Sequence, residues 1–227
     1  MQKIAVLCDF DGTVARDDVG NLLFEAFSEN GEAAAIVERW RCGEITSREC
    51  FEREAQLARA DQDALDRFLG EYKIDPYFRD FRDFARGRGI EVAILSDGFD
   101  YYIEHMLVRS GLGDIEFFSN RLQIDGDRLR VDFPWYDKLD CTECGCCKAH
   151  HLLQYRKQGY YIVYVGDGLS DRCPSETADL VFAKGELMKH CRVRGVDYVE
   201  FRNFRDVERG VVERILLGGE FQRTGDE

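Results

Sequence analysis

Lys3-Ile4-Ala5-Val6-Leu7-Cys8-Asp9-Phe10-Asp11-Gly12-Thr13 is the stretch from which the rest of this 227-residue sequence can be read. Lys3 to Cys8 is a short apolar run without polar alternation, the pattern of a strand buried on both faces, and it stops at Asp9. Two carboxylates two residues apart on extended chain, Asp9 and Asp11, point to the same side, and Gly12 permits a tight turn behind them. Such a pair suits a hard divalent cation. It also suits a division of labour in which one carboxylate attacks while the other handles protons. Taken alone, the pair reads equally well as a solvated turn.

Outward from this strand the pattern changes. Over 14–75, apolar residues recur at helical spacing, as in Leu22, Leu23, Ala26 and Phe27, then Ala33, Ile36, Val37 and Trp40. Thr46 and Asp61 fit as N-caps, and Asp75-Pro76 closes the stretch, so four helices are expected. Beyond it, strands are expected over 90–95, 115–118, 160–165 and 180–182. Helices are expected over 77–86, 100–109 and 149–158, from 170, and over 207–217. Asp125-Gly126 between alternating segments predicts a hairpin. Strands alternating with helices imply an α/β fold, a Rossmann-like doubly wound parallel sheet with an inserted helical-bundle cap. The expected division is a core of 1–13 and 79–227 and a cap of 14–78.

In such a sheet, residues just past the strand ends gather in one crevice. Ser96-Asp97-Gly98 follows the second strand and reads either as an anion cradle at a helix start or as an ordinary turn and cap. Gly166-Asp167-Gly168-Leu169-Ser170-Asp171 follows a later strand. Asp167 is placed to share a cation with Asp9, while Asp171 can brace the loop, meet Lys148 or simply cap a helix. Lys148 is a compact charge able to neutralise phosphoryl oxygens, although a lone lysine is ordinarily a surface residue.

The ordered set of Asp9-Phe10-Asp11-Gly12-Thr13, Ser96, Lys148 and Gly166-Asp167-Gly168 with Asp171 resembles the haloacid dehalogenase superfamily of phosphohydrolases, and the insertion after the first strand resembles its phosphoserine-phosphatase-like subgroup. The resemblance implies a Mg²⁺-dependent phosphatase that hydrolyses a small-metabolite phosphate monoester through an aspartyl-phosphate. Asp9 would be the nucleophile and Asp11 the acid and base. Ser96 and Lys148 would hold the phosphoryl group, with Asp97 and Gly98 beside it at the substrate. Asp9, Asp11 through its backbone carbonyl, and Asp167 would carry the metal, with Asp171 in support. Asp132-Phe133-Pro134-Trp135, Cys144-Gly145-Cys146-Cys147-Lys148, Asp17-Asp18 and Ser96 to Tyr102 resemble, more narrowly, the 2-hydroxy-3-keto-5-methylthiopentenyl-1-phosphate phosphatases of methionine salvage. Asp97 departs from that pattern where Gly is expected. In phosphoserine phosphatases a cap arginine holds the substrate carboxylate, and its place here falls near Glu54, with Arg53 adjacent. Phosphoserine phosphatase or a phosphotransferase of the same subgroup, and a non-catalytic metal- or partner-binding module, are the alternatives.

Composition bounds the partners. The formal net charge is −13, and 15 of the acidic residues fall between Val14 and Phe78, so a polyanion such as nucleic acid is excluded as a partner. No apolar run is long enough to span a membrane and the amino-terminal residues do not read as an export signal, so a cytoplasmic protein is expected. Nothing in the sequence sets an oligomeric state. Among nine cysteines, Cys141, Cys144, Cys146 and Cys147 crowd into seven residues that lead into Lys148. In a reducing compartment such a cluster reads as a zinc site, with His150 or His151 as a further ligand, as buried structural thiols, or as a redox group. Thiolates there would tune the charge of Lys148.

Overall fold

The computed structural model describes residues 2–29, 31–139 and 142–217. Its frame is a seven-stranded sheet. The strands are β1 (Lys3–Cys8), β2 (Glu91–Phe99), β3 (Glu116–Asp125), β4 (Arg128–Asp132), β5 (Tyr160–Gly166), β6 (Leu180–Ala183) and β7 (Val199–Glu200). The order across the sheet is β4-β3-β2-β1-β5-β6-β7, and every neighbouring pair is parallel except the β3–β4 hairpin. The hairpin is thus an extension of the sheet. The apolar run at the amino terminus forms the central strand. Its side chains alternate, so Val6 and Cys8 enter the core on one face while Ala5 and Leu7 enter the core on the other.

Helices cover both faces. The four expected helices are α1 (Val19–Phe27), α2 (Glu32–Arg41), α3 (Ser47–Leu57) and α4 (Gln62–Leu69). They are followed by α5 (Phe78–Gly87), α6 (Asp100–Arg109), α7 (Lys148–Lys157), α8 (Arg172–Ser175), α9 (Gly185–Arg194) and α10 (Phe204–Val211). Apolar side chains of α5, α6 and α10 pack on the face bearing Val6, and those of α7 and α9 pack on the face bearing Leu7. This is the doubly wound arrangement read from the strand–helix alternation. Helix α9 and strand β7 were not expected. Only Leu187 and Cys191 of α9 are buried, so its sequence carries too few apolar positions to mark a helical face.

The segment carrying α1–α4 leaves and re-enters the sheet region side by side, joined by an antiparallel bridge between Ala15 and Ile74. Thr46 caps α3 through a reciprocal box with Glu49, and Asp61 caps α4, as their residue types foretold. Phe51 of α3 and Phe24 of α1 pack edge-on against Phe99 at the end of β2, with centroids at 4.9 and 5.8 Å. The loop between β4 and α7 meets α3 as well. The Ser47 backbone N–H donates to the Glu143 carbonyl at 2.9 Å, and the Arg48 guanidinium lies 4.7 Å from the Tyr136 ring centre. No helix among the described residues is long and apolar enough to cross a membrane.

Candidate active site

The strand order reverses at β1, which lies between β2 on one side and β5 on the other, and the crevice at the carboxyl end of such a strand is where α/β ligands bind. The Asp9 backbone N–H is fixed to the Val165 carbonyl at 2.8 Å. The chain then turns through Gly12, whose φ of +70° suits glycine and whose missing Cβ would stand 2.5 Å from Asp167 Oδ2. A cavity of about 140 Å³ opens here, and Asp9, Asp11, Ser96, Asp97, Gly98 and Asp167 all line it.

Lys148, at the first position of α7, is 2% exposed. Its Nζ donates to Asp9 Oδ1 and Asp171 Oδ1 at 2.6 Å each, and to Ser170 Oγ at 2.9 Å. Burial alone would strip the ammonium of its proton, but the carboxylates of Asp171 and Asp9 outweigh it and raise the pKa. Asp171 is a hub. Its Oδ1 also accepts from Tyr164 at 2.6 Å, and its Oδ2 accepts from the backbone N–H groups of Asp167 and Gly168 at 2.9 Å. It therefore braces the loop and meets Lys148, two of the roles left open by its spacing.

Negative charge still exceeds positive. Burial, then Asp171, raises the pKa of Asp9 well above the carboxylate range in spite of Lys148. Burial and Asp171 likewise push Asp167 up to about 6, against a 2.8 Å hydrogen bond from Thr13 Oγ1. Ligand oxygens of Asp9, Asp167 and Asp171 all come within 4.8 Å of one another, which makes this an acidic cluster of the kind that holds a divalent cation.

Asp11 stands apart from that cluster. Its Oδ1 accepts from the Val19 and Gly20 N–H groups at the start of α1, at 2.9 and 3.2 Å, and its Oδ2 accepts from the Tyr102 hydroxyl at 2.5 Å. Burial, with the charge of Asp18, pushes this carboxyl up to about 7. Two neighbouring acids thus differ in surroundings, one facing an ammonium and the other a phenol, as an acid–base division of labour requires. Tyr102 was not singled out in the sequence, although it sits one turn into the helix that follows Ser96-Asp97-Gly98. Gly98 touches the same contact, since a Cβ there would fall 1.7 Å from the Tyr102 hydroxyl oxygen.

Ser96, Asp97 and Gly98 lie within β2, not beyond it, because the strand runs on to Phe99 past a register irregularity after Leu95. Ser96 Oγ accepts from the Gly98 N–H at 2.9 Å. Asp97, the departure from the resemblance, is buried and structural in its bonds: Oδ1 accepts from the Cys146 N–H at 2.6 Å, while Asn120 donates to its carbonyl at 2.6 Å. The cysteine loop is anchored through this aspartate.

The cluster preceding Lys148 forms no metal group among the described residues, where the three aspartates alone close into one. Cys141 lies outside the described residues. Cys146 and Cys147 are buried, and burial together with Asp97 raises the Cys146 pKa far above neutrality, so it is a thiol and does not tune Lys148 as a thiolate. His151 is stacked 4.1 Å from the Phe118 ring, and burial lowers its pKa to about 4.

The segment of α1–α4 supplies the opposite wall. Val37, Trp40, Phe51 and Glu54 line the cavity, the last at the place where the resemblance expects a carboxylate-binding arginine. Phe24 of α1 is wholly buried in the core. Glu54 is 2% exposed, and burial pushes its carboxyl up to about 8.

The family model for haloacid dehalogenase-like hydrolases matches residues 6–173. A 2-hydroxy-3-keto-5-methylthiopentenyl-1-phosphate phosphatase of Brevibacillus brevis is 28% identical over 211 residues, covering 92% of this chain and 95% of that protein. The protein of the same name from Bacillus velezensis is 28% identical over 91% of this chain and 88% of its own length. Among solved structures, a phosphoserine phosphatase with a phospho-aspartyl intermediate analogue superposes with a TM-score of 0.71 at 20% identity, over 92% of this chain and 99% of that one, a likeness of fold. The matched span begins in β1 and ends just beyond Asp171, so it takes in every strand end described above, and the chain belongs to the haloacid dehalogenase-like hydrolases.

Proposed function

We propose that this chain is a Mg²⁺-dependent phosphatase that hydrolyses a small-metabolite phosphate monoester through an aspartyl-phosphate on Asp9. The observation that carries the reading is the contrast between its two leading acids: Asp9 bonded to a buried lysine, Asp11 to a phenol, in one cavity. The acidic cluster fits the metal. Three carboxylates crowd within 4.8 Å, protons are held on two of them above the usual range, and the donors are the hard oxygens Mg²⁺ prefers. Asp9 and Asp167, with the Asp11 carbonyl, would hold it, and Asp171 would support the loop. Bound there, the ion would withdraw charge from the phosphoryl oxygens.

The chain's own groups account for the remaining steps. Asp9 attacks phosphorus and the ester oxygen departs with the proton of Asp11. Asp11 then takes a proton from water as that water attacks the aspartyl-phosphate, which restores both acids and releases phosphate. Lys148 offsets charge on Asp9, and Ser96 and Lys148 would hold the phosphoryl oxygens. Residues 14–78 act as a cap over a core of 1–13 and 79–227, closing the crevice against water.

For the substrate, the named relatives favour 2-hydroxy-3-keto-5-methylthiopentenyl-1-phosphate. The apolar wall of Val37, Trp40 and Phe51 suits a thioether chain. Phosphoserine is disfavoured by the buried acid at Glu54. The test is phosphate release, with Mg²⁺, from p-nitrophenyl phosphate, phosphoserine and that enol phosphate. The enol phosphate is expected to be turned over fastest, and Asp9→Asn is expected to lower turnover by at least ~1,000-fold. No release from any of the three by the unmodified protein would overturn the reading.

A further inference from the structure

A buried acid without a full set of partners is costly unless something completes it. Glu54 Oε1 is buried and has no hydrogen-bond partner, while Oε2 is met only by the weak Cys50 thiol donor at 3.6 Å. The residue projects from α3 and lines the same cavity as Asp9 and Asp11. The cavity lining also includes the apolar Val37, Trp40 and Phe51 and a second acid, Asp18, whose charge acts on Glu54. Arg41 also lines the cavity, but its charge acts on Asp18.

We infer that Glu54 selects the organic half of the substrate by hydrogen-bonding a hydroxyl on an uncharged carbon chain, and that it turns away esters bearing a carboxylate. The inference rests on the phosphatase reading and specifies its substrate class. A hydroxyl satisfies the orphaned Oε1 whichever way the proton points, because a hydroxyl both donates and accepts. The raised pKa of Glu54 keeps the carboxyl neutral at pH 7, so its own proton is available to the same partner. A substrate carboxylate would instead be buried beside the acids Glu54 and Asp18, and would have to share Arg41 with Asp18. The rest of a short chain would lie on the Trp40 and Phe51 side.

Binding separates this inference from the chemistry. Butylphosphonate, 2-hydroxybutylphosphonate, 3-hydroxybutylphosphonate and 3-phosphonopropionate cannot be hydrolysed and are titrated calorimetrically with Mg²⁺ present. One of the hydroxylated phosphonates is expected to bind roughly 10-fold or more tightly than butylphosphonate, and 3-phosphonopropionate most weakly. Glu54→Gln, which keeps a hydrogen-bonding end, is expected to retain most of the hydroxyl preference. Glu54→Met, of similar bulk, is expected to bring butyl and hydroxybutyl compounds within about 3-fold. A wild-type protein that fails to distinguish hydroxyl from hydrogen, or a Met variant that keeps the distinction, overturns the assignment, and the wild-type series alone decides if that variant does not fold. Phosphate release from 2-hydroxybutyl phosphate is measured in parallel. Hydroxyl preference without release removes the phosphatase reading and leaves Glu54 as a ligand-selecting residue, and binding of none of the four overturns both.

Discussion

The bond from Tyr102 to Asp11 sets the protonation of the proposed acid. By donating to Oδ2, the phenol favours the charged carboxylate and works against burial, which dominates and holds the pKa near 7. Tyr102→Phe removes that donor, so the pKa of Asp11 should rise. The alkaline limb of the pH–rate profile is then expected to move to higher pH, with turnover lowered by roughly 10-fold or more through lost positioning. A limb that stays in place would dissociate Tyr102 from the proton transfer. Gly98→Ala is a harsher change, since the added carbon would sit where the Tyr102 hydroxyl and Asp11 Oδ2 now are. Phosphate release is expected to fall more than ~100-fold in that variant. At this scale the sequence displayed its acids and its lysine plainly, because they fall at the ends of apolar runs. Tyr102 stayed without a role because it reaches the cavity from a helix, where neighbouring sequence says nothing about which wall a side chain will meet, and Glu54 came into view only through the resemblance.

Elements hold these residues to their places. Thr46 and Glu49 satisfy the first turn of α3, the helix that presents Cys50, Phe51 and Glu54 to the cavity. Thr46→Ala is expected to cost about 1 kcal/mol in urea unfolding. Asp97 ties β2 to the loop ahead of α7, and in Asp97→Ala the buried Cys146 N–H loses its acceptor. A loss of about 1–3 kcal/mol is expected, together with slower turnover as Lys148 is less firmly seated. The boundaries of elements explain what could be read in advance. Caps such as Thr46 and Asp61 announce helices by residue type, and the central strands announce themselves by unbroken apolar runs. The extension of β2 through Ser96-Asp97-Gly98 escaped notice because a Ser-Asp-Gly triplet is ordinarily a turn, and contacts distant in sequence, the pairing of Phe99 with Asn120 and the bonds of Asn120 and Cys146 to Asp97, hold it extended. The cysteine loop was legible only in part: its spacing left a zinc site, structural thiols and a redox group open, and the structure buries Cys146 and Cys147 with the Cys146 backbone N–H held by Asp97.

Across the whole molecule, the buried acids make stability depend on pH. Asp167, Asp11 and Glu54 are pushed up to about 6, 7 and 8, and Asp9 and Asp97 are also raised. Each raised carboxyl holds its proton more tightly folded than unfolded, so folding favours the protonated form. Their contribution is complete below the ordinary carboxylate range and is lost as pH rises through the folded-state values. Without divalent cation, the Tm is therefore expected to be lower at pH 8.5 than at pH 5.5. Added Mg²⁺ is expected to raise Tm more at pH 8.5, where it no longer competes with protons for the aspartates. An equal effect at both pH values would argue against the acidic cluster as the binding place. Glu54→Gln should lessen the alkaline loss, since its amide cannot ionise.

The central position of β1 has one more consequence, for synthesis. The strand that carries Asp9 pairs with residues 91–94 on one side and with 160–165 on the other. A nascent chain that has not yet released Tyr160–Gly166 from the ribosome therefore leaves Lys3–Cys8 as a bare, apolar sheet margin, able to pair with another chain. Lys148 and Asp171 also arrive late, so Asp9 emerges well before the residues that surround it. A ribosome-stalled chain ending before residue 160 should be prone to aggregate, whereas one extended past Ala183 has strands on both flanks of β1.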